Sequence, residues 1–336
     1  MKAVRVLSGG GVSVEEVDTP RLAPDEVLLT VEYGGICGSD LHYAQHGRNG
    51  DYLVTSPLTL GHEISGSISA IGEAVTDVAL GAPATVHPAQ PCPEAGSKPT
   101  GLHLVPTTYL GSASTTPHTQ GGFAEYVVVQ RKQVRMLPEG LPIRRAVLAE
   151  PLGVALHAAS LCGDIAGKRV LVVGCGPIGL LTILALSLHG PRELVATDLS
   201  VAALDLARSV GATATIRVPE QSAEEGAFDI VVEAAGATPS IRAAIASVAP
   251  GGVLVQLAIP ATPTIEIPSV RLLSQEFTIR GAWRFDTEID RALEVLRDHP
   301  EADGLITHEF SIDDAEEAFA IAADSEVSSK VILRLS

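Results

Sequence analysis

Residues 34 to 43 read GGICGSDLHY and place a thiol, a hydroxyl, a carboxylate, an imidazole and a phenol within ten positions. The two glycines before Cys37 let the backbone turn tightly there. The other cysteines stand at 92, 162 and 175, and no two of the four are spaced C-x-x-C. By residue type, Cys37 is open to three roles: a packed thiol, a nucleophile, or one ligand of a metal whose other ligands lie elsewhere. Downstream, LGHEISG sets His62 beside Glu63 between Gly61 and Gly66, and AEPLGVALH puts Glu150 just before a proline suited to start a helix. Thiolate, imidazole and carboxylate are ordinary zinc ligands, and a catalytic zinc keeps one position open for water or substrate. Spacing alone does not join segments so far apart in the chain.

A second chemistry-bearing stretch is VLVVGCGPIG, in which Gly174, Gly176 and Gly179 form G-x-G-x-x-G around Pro177 and Ile178. It follows an apolar strand and opens an apolar helix. The first glycine suits a tight turn, the second lets backbone approach a pyrophosphate, and the third lets helix and strand pack closely. Asp198 ends the next strand about twenty residues on, where a carboxylate binds ribose hydroxyls. That carboxylate repels a 2′-phosphate, and Leu199, Ser200 and Val201 bring no arginine to offset it. The expectation is NAD rather than NADP. Cys175 reads as a small filler in the loop.

The elements that position these residues fall into two rhythms. KAVRVL, VSVEEV, DEVLLTVEY and EISGSISAIG are short Val- and Ile-rich runs broken by Gly, Pro and Asp, the pattern of an antiparallel barrel or sandwich. From about residue 168, apolar strands alternate with helices: KRVLVVG, ELVATD, TATIR, FDIVVEAAG, GGVLVQLAI and EFTIRGAW make six strands of a doubly wound parallel sheet. Between them SVAALDLARSVGA reads as a helix with Ser200 as N-cap and Gly211 closing it. The tail holds the helix DTEIDRALEVLRD, then DDAEEAFAIAAD and a last strand KVILRL.

A chain of 336 residues suits two domains. Its net charge of −17 and the lack of a basic stripe argue against nucleic acid as a partner. No apolar run reaches the roughly 18 to 20 residues that span a bilayer, and MKAVRVLSGGG lacks a signal-peptide core. With four unpaired-looking cysteines, this makes cytoplasmic residence, away from membranes, the expectation.

Taken in order, GGICGSDLHY, LGHEISG, AEPLGVALH and GCGPIG resemble the zinc-dependent medium-chain dehydrogenases of the polyol branch, which includes sorbitol, threonine and L-idonate dehydrogenases. The resemblance covers essentially the whole chain. It implies an α/β plus all-β architecture: a GroES-like catalytic barrel domain from residues 1–148 and 283–336, and a Rossmann NAD-binding domain over 149–282, with zinc and nicotinamide in the cleft between. Cys37 and His62 are then zinc ligands, and Glu63 is the third in the sorbitol dehydrogenase type. Glu150 stands where alcohol dehydrogenases carry another cysteine, so it ligates zinc or holds the zinc-bound water. Asp40 orients His62 by a hydrogen bond from behind. Ser39 takes the proton of the substrate oxygen and passes it by way of the nicotinamide ribose to His42 and solvent.

The resemblance also marks where this chain departs. The four-cysteine lobe that holds a second, structural zinc corresponds here to PCPEAGSKPTGLHLVP, which keeps Cys92 but has Ala95, Lys98 and Pro106 at the other positions. One thiolate does not make a tetrahedral site, so a single catalytic zinc per subunit is expected. For substrate, Tyr43 and Arg284 match polyol-contacting positions, and Phe285 replaces a tyrosine. YLGSASTTPHTQGGF and the tail RGAWRF…GLITHEF look closest to L-idonate 5-dehydrogenases. Arg284 suits a sugar-acid carboxylate, with Arg48 the weaker candidate. The implied reaction oxidises a secondary hydroxyl of a small sugar acid or polyol to a ketone with hydride transfer to NAD. The rivals are a neutral-polyol (sorbitol or xylitol type) dehydrogenase and, from another class, a non-catalytic NAD-binding structural or regulatory protein. Related enzymes join subunits through the edge of the GGVLVQLAI sheet, which implies a homodimer or homotetramer.

Overall fold

The computed structural model describes residues 1–92 and 101–336. Ala95 and Lys98, two of the positions that bear on a structural zinc, lie outside the described residues. The chain divides into two compact units: Met1–Glu150 with Ile289–Ser336, and Pro151–Glu288.

The first unit is built on the long strand Glu26–Gly35, whose Val27, Leu29 and Val31 alternate inward as period-2 burial requires. It pairs antiparallel with Glu63–Ile71, with Tyr126–Gln130 and with Lys330–Arg334. The last of these comes from the C-terminal end of the chain. It arrives by a strand–helix–strand unit, Ile306–Ser311, Ala315–Ala322 and Lys330–Arg334, whose two strands run parallel. One register point matters for the site. Gly35 is opposite Glu63 on one side and opposite Ile332 on the other. A Cβ on Gly35 would run into the Glu63 carboxylate, so glycine at that position makes room for a buried acid.

The second unit is a six-stranded parallel sheet: Ala214–Arg217, Glu193–Asp198, Arg169–Val173, Phe228–Glu233, Val248–Gln256 and Thr278–Gly281, in that spatial order. Counted in sequence this is 3-2-1-4-5-6, the order of a dinucleotide-binding sheet, with its switch point at the central strand Arg169–Val173. All six apolar runs read from the sequence form strands. Ser200 caps Val201–Ser209, its hydroxyl accepting from the Ala203 N–H at 3.3 Å. Gly211 follows that helix with φ of 119°. Among the described residues, no helix is long and apolar enough to cross a membrane.

Candidate active site

Three side chains from two segments meet in the first unit. One ligand atom each from Cys37, His62 and Glu63 lies within 4.8 Å of the others. Cys37 precedes the helix Gly38–His46, and its backbone N–H donates to the Asp40 carboxylate at 3.0 Å. The other Asp40 oxygen receives the Gly61 N–H at 3.4 Å. Asp40 thus ties the turn bearing Cys37 to the turn bearing His62. Its distance to His62 Nδ1 is 3.8 Å, so the two interact through charge rather than through the hydrogen bond the resemblance implied. Burial opposes charge on His62, but Asp40 and then Cys37 outweigh it and push the imidazole up to about 10. Burial raises the Asp40 carboxyl, with His62 acting against it.

Glu150 is buried nearby and accepts the Tyr109 hydroxyl at 2.7 Å, while the Tyr109 ring meets the His62 ring edge-on, centroids 5.6 Å apart. Burial and the Glu63 charge raise Glu150, against the pull of His62 and Tyr109. The close three-ligand group contains Glu63 and not Glu150. Two neighbours were not legible from sequence motifs. Tyr109 is one. The other is Lys330, whose buried ammonium contacts both Glu63 oxygens, at 2.9 and 2.7 Å, and the Ile36 carbonyl at 3.1 Å.

On the same helix Ser39 is half-buried and His42, one turn on, is exposed with its ring 6.1 Å from that of His46. Tyr43 is buried, and its hydroxyl accepts the Ala113 N–H at 3.0 Å. Arg48 is exposed and donates to the Gly50 carbonyl at 2.7 Å. Arg284 and Phe285 belong to the second unit. Arg284 has φ of 52°, and its guanidinium lies 5.3 Å from the centre of the Trp283 ring. Phe285 is buried against Gly153.

The second unit carries the glycine loop. Gly174 adopts φ of 97°, and a Cβ there would collide with Ala235. Gly179 leaves no room for a Cβ against the Gly174 carbonyl, which is the close packing the third glycine was expected to allow. Gly176 faces open space and is the N-cap of Pro177–Ser187, with no side chain capping that helix. Its N–H groups are therefore left for an anion, as a pyrophosphate site requires. Asp198 is held by the N–H groups of Cys175 at 2.7 Å and Ser200 at 2.9 Å. Buried Glu233 accepts from the N–H of Ala235 and of Gly236, from Ser240 and from Gln256, so it fixes the loop that abuts Gly174. Its role had no signal in the local pattern.

Residues 23–139 match the alcohol dehydrogenase GroES-like domain, and residues 177–298 match the zinc-binding dehydrogenase domain. The chain is 32% identical over 319 residues to the L-idonate 5-dehydrogenase (NAD(P)(+)) of Escherichia coli strain K12, covering 91% of each. It is 33% identical to the sorbitol dehydrogenase of Gallus gallus, covering 94% of this chain and 92% of that one. A candidate zinc-binding dehydrogenase from Sinorhizobium meliloti 1021, solved bound to NADP, superposes with a TM-score of 0.90 at 32% identity over 99% of this chain and 98% of that one. The chain belongs to the zinc-dependent medium-chain dehydrogenases of the polyol branch. It is an alcohol/polyol dehydrogenase with a GroES-like domain and a Rossmann-type sheet.

Proposed function

We propose that this enzyme oxidises a secondary hydroxyl of a sugar acid or polyol to the ketone, with NAD as preferred acceptor and L-idonate as the leading substrate. The balanced reaction is secondary alcohol plus NAD⁺ to ketone plus NADH plus H⁺. The observation that carries it is the meeting of Cys37, His62 and Glu63, a thiolate, an imidazole and a carboxylate that suit one zinc with an open position. When bound, zinc supplies Lewis-acid polarisation of the substrate oxygen, and the dinucleotide supplies the two-electron acceptor.

The chain's own residues supply position and proton traffic. Asp40 holds the turns carrying Cys37 and His62, and Tyr109 fixes Glu150 beside them. Ser39 takes up the proton of the substrate hydroxyl while giving its own on toward His42. His42 lies on the same helix face at i+3 and hands that proton to water. NAD preference follows from Asp198, whose carboxylate accepts ribose hydroxyls and disfavours a 2′-phosphate. One zinc per subunit follows from the single Cys92 in the stretch PCPEAGSKPTGLHLVP. A homodimer or homotetramer is read from the resemblance, with the edge strand Thr278–Gly281 free within its sheet to extend across such an interface.

The neutral-polyol reading keeps a specific support, since the sorbitol dehydrogenase of Gallus gallus is 33% identical, level with the L-idonate enzyme. Initial rates on L-idonate, sorbitol, xylitol and related aldonates, each with NAD, separate the two. Turnover on neutral polyols with none on aldonates would overturn the sugar-acid assignment.

A further inference from the structure

We propose that Arg217 forms a subsite for a ribose 2′-phosphate, so that the enzyme also accepts NADP, with a smaller penalty than Asp198 alone would impose. The proposal rests on reading the glycine loop and Asp198 as the cofactor site. From the sequence, no arginine stands among the residues just after Asp198. The sheet supplies one from the next strand. Asp198 and Arg217 are register partners at the carboxyl ends of two parallel strands, and ligands of such sheets bind at that end. Arg217 Nε donates to the Leu199 carbonyl at 3.3 Å, which lays the guanidinium along the segment that follows Asp198.

The chemistry of the neighbourhood fits an anion received at this point. Both Asp198 oxygens already take a backbone N–H, from Cys175 and from Ser200, so the carboxylate is fixed and does not swing to pair with Arg217. The Arg217 side chain is about half exposed at 49%, and its one ion pair is with Glu220, 3.0 Å away and itself 61% exposed. A solvent-exposed pair of this kind gains little and exchanges readily, so a phosphomonoester with more charge displaces it. The only other cation between residues 199 and 221 is Arg208, which is engaged with Asp205 and Thr215. Asp198, the register partner of Arg217, and Glu220, its ion-pair partner, are the carboxylates tied to Arg217 among the described residues. Arg217 is thus the one group there that favours a phosphate over a hydroxyl.

The test is fluorescence titration of NADH and NADPH into wild type, Arg217→Ala, Arg217→Lys and Glu220→Gln. Arg217→Ala should weaken NADPH about tenfold, the low end for a charge-assisted hydrogen bond at an exposed position, and move NADH less than about twofold. Arg217→Lys should keep part of the NADPH affinity, because the charge stays while the planar fork is lost. Glu220→Gln should tighten NADPH alone. Adenosine 2′,5′-bisphosphate should compete better than 5′-AMP against wild type, with that advantage lost in Arg217→Ala. NADH binding with an unchanged NADPH constant in Arg217→Ala overturns this proposal alone. A wild type that binds neither dinucleotide overturns the cofactor-site reading and this proposal together.

Discussion

Lys330 and Glu63 form a fully buried ion pair, with Nζ 2.7 and 2.9 Å from the two carboxylate oxygens and side-chain exposures of 3% and 1%. The pair exists because Lys330–Arg334 and Glu63–Ile71 flank the same strand, on opposite sides of Gly35. Burial alone would lower the lysine, but Glu63 and then Cys37 outweigh it and raise it above its ordinary value. A raised lysine stabilises the fold at all pH values below the ordinary lysine range, and that contribution is lost only as pH climbs through the raised value. Removing one partner strands the other charge in the interior, which costs about 3 to 5 kcal/mol. Lys330→Met should therefore lower the thermal midpoint of zinc-stripped protein sharply. The double variant Lys330→Met/Glu63→Gln should recover much of the loss. A single variant as stable as wild type would show that the pair is solvated.

This pair marks the limit of what the sequence discloses. Cys37, His62 and Glu63 stand in glycine-flanked stretches whose resemblance to a family names their roles. Lys330 sits in SSKVILRL, where a lysine opening a strand reads as a surface residue. Its burial comes with its strand, whose residues 332–334 pair with residues 33–35 some 300 positions away, which no local pattern encodes. Tyr109 and Arg217 lack a local signal for the same reason, since each owes its place to a strand neighbour. The six apolar runs of the second unit were legible because burial on both faces imposes continuous apolarity on each strand separately.

Metal binding should release protons. His62 is pushed up to about 10, so below that pH the imidazole carries a proton that a metal has to displace. Affinity for zinc should rise with pH and fall as the medium is acidified. Zinc titrated into stripped protein in weak buffer near neutrality should acidify the solution by at least one proton per site. Cys37→Ala should abolish the uptake and leave NADH binding largely intact. Saturation at two tightly held zincs per subunit would refute the single-site expectation.

A second carboxylate contact should show in acid. In the Pro151–Glu288 unit, His157 Nδ1 lies 2.7 Å from Glu288, which also accepts the Asp286 N–H at 2.7 Å. Burial works to raise the Glu288 carboxyl, but the His157 contact and these backbone bonds bring it down to about 2. A depressed carboxyl stabilises the fold above its ordinary pKa near 4.5, and that stability is lost as pH falls toward 2. The contribution at neutral pH is on the order of 2 kcal/mol after allowance for partial exposure. Glu288→Gln should lower the denaturation midpoint at pH 7 and leave that at pH 2 nearly unchanged. Equal loss at both pH values would assign Glu288 a packing role.

The choice between acid and polyol turns on Arg284. Its guanidinium lies over the Trp283 ring, and a guanidinium's planar fork of donors is the shape that matches a carboxylate. If it reads a sugar-acid carboxylate, Arg284→Ala loses a charge-assisted hydrogen bond of about 1.5 to 3 kcal/mol, roughly a 10- to 150-fold fall in kcat/KM for L-idonate. A neutral polyol should lose less, because its hydroxyl forfeits only an ion–dipole contact. Lysine at 284 should rescue partly, since an ammonium lacks the fork. The left-handed φ adds a control: Arg284→Gly removes the side chain without backbone strain, so it should match Arg284→Ala if the guanidinium alone matters. Comparing kcat/KM on L-idonate and sorbitol across these variants decides the matter. Equal losses on both substrates would mean that Arg284 reads a hydroxyl common to them, and the neutral-polyol reading would prevail.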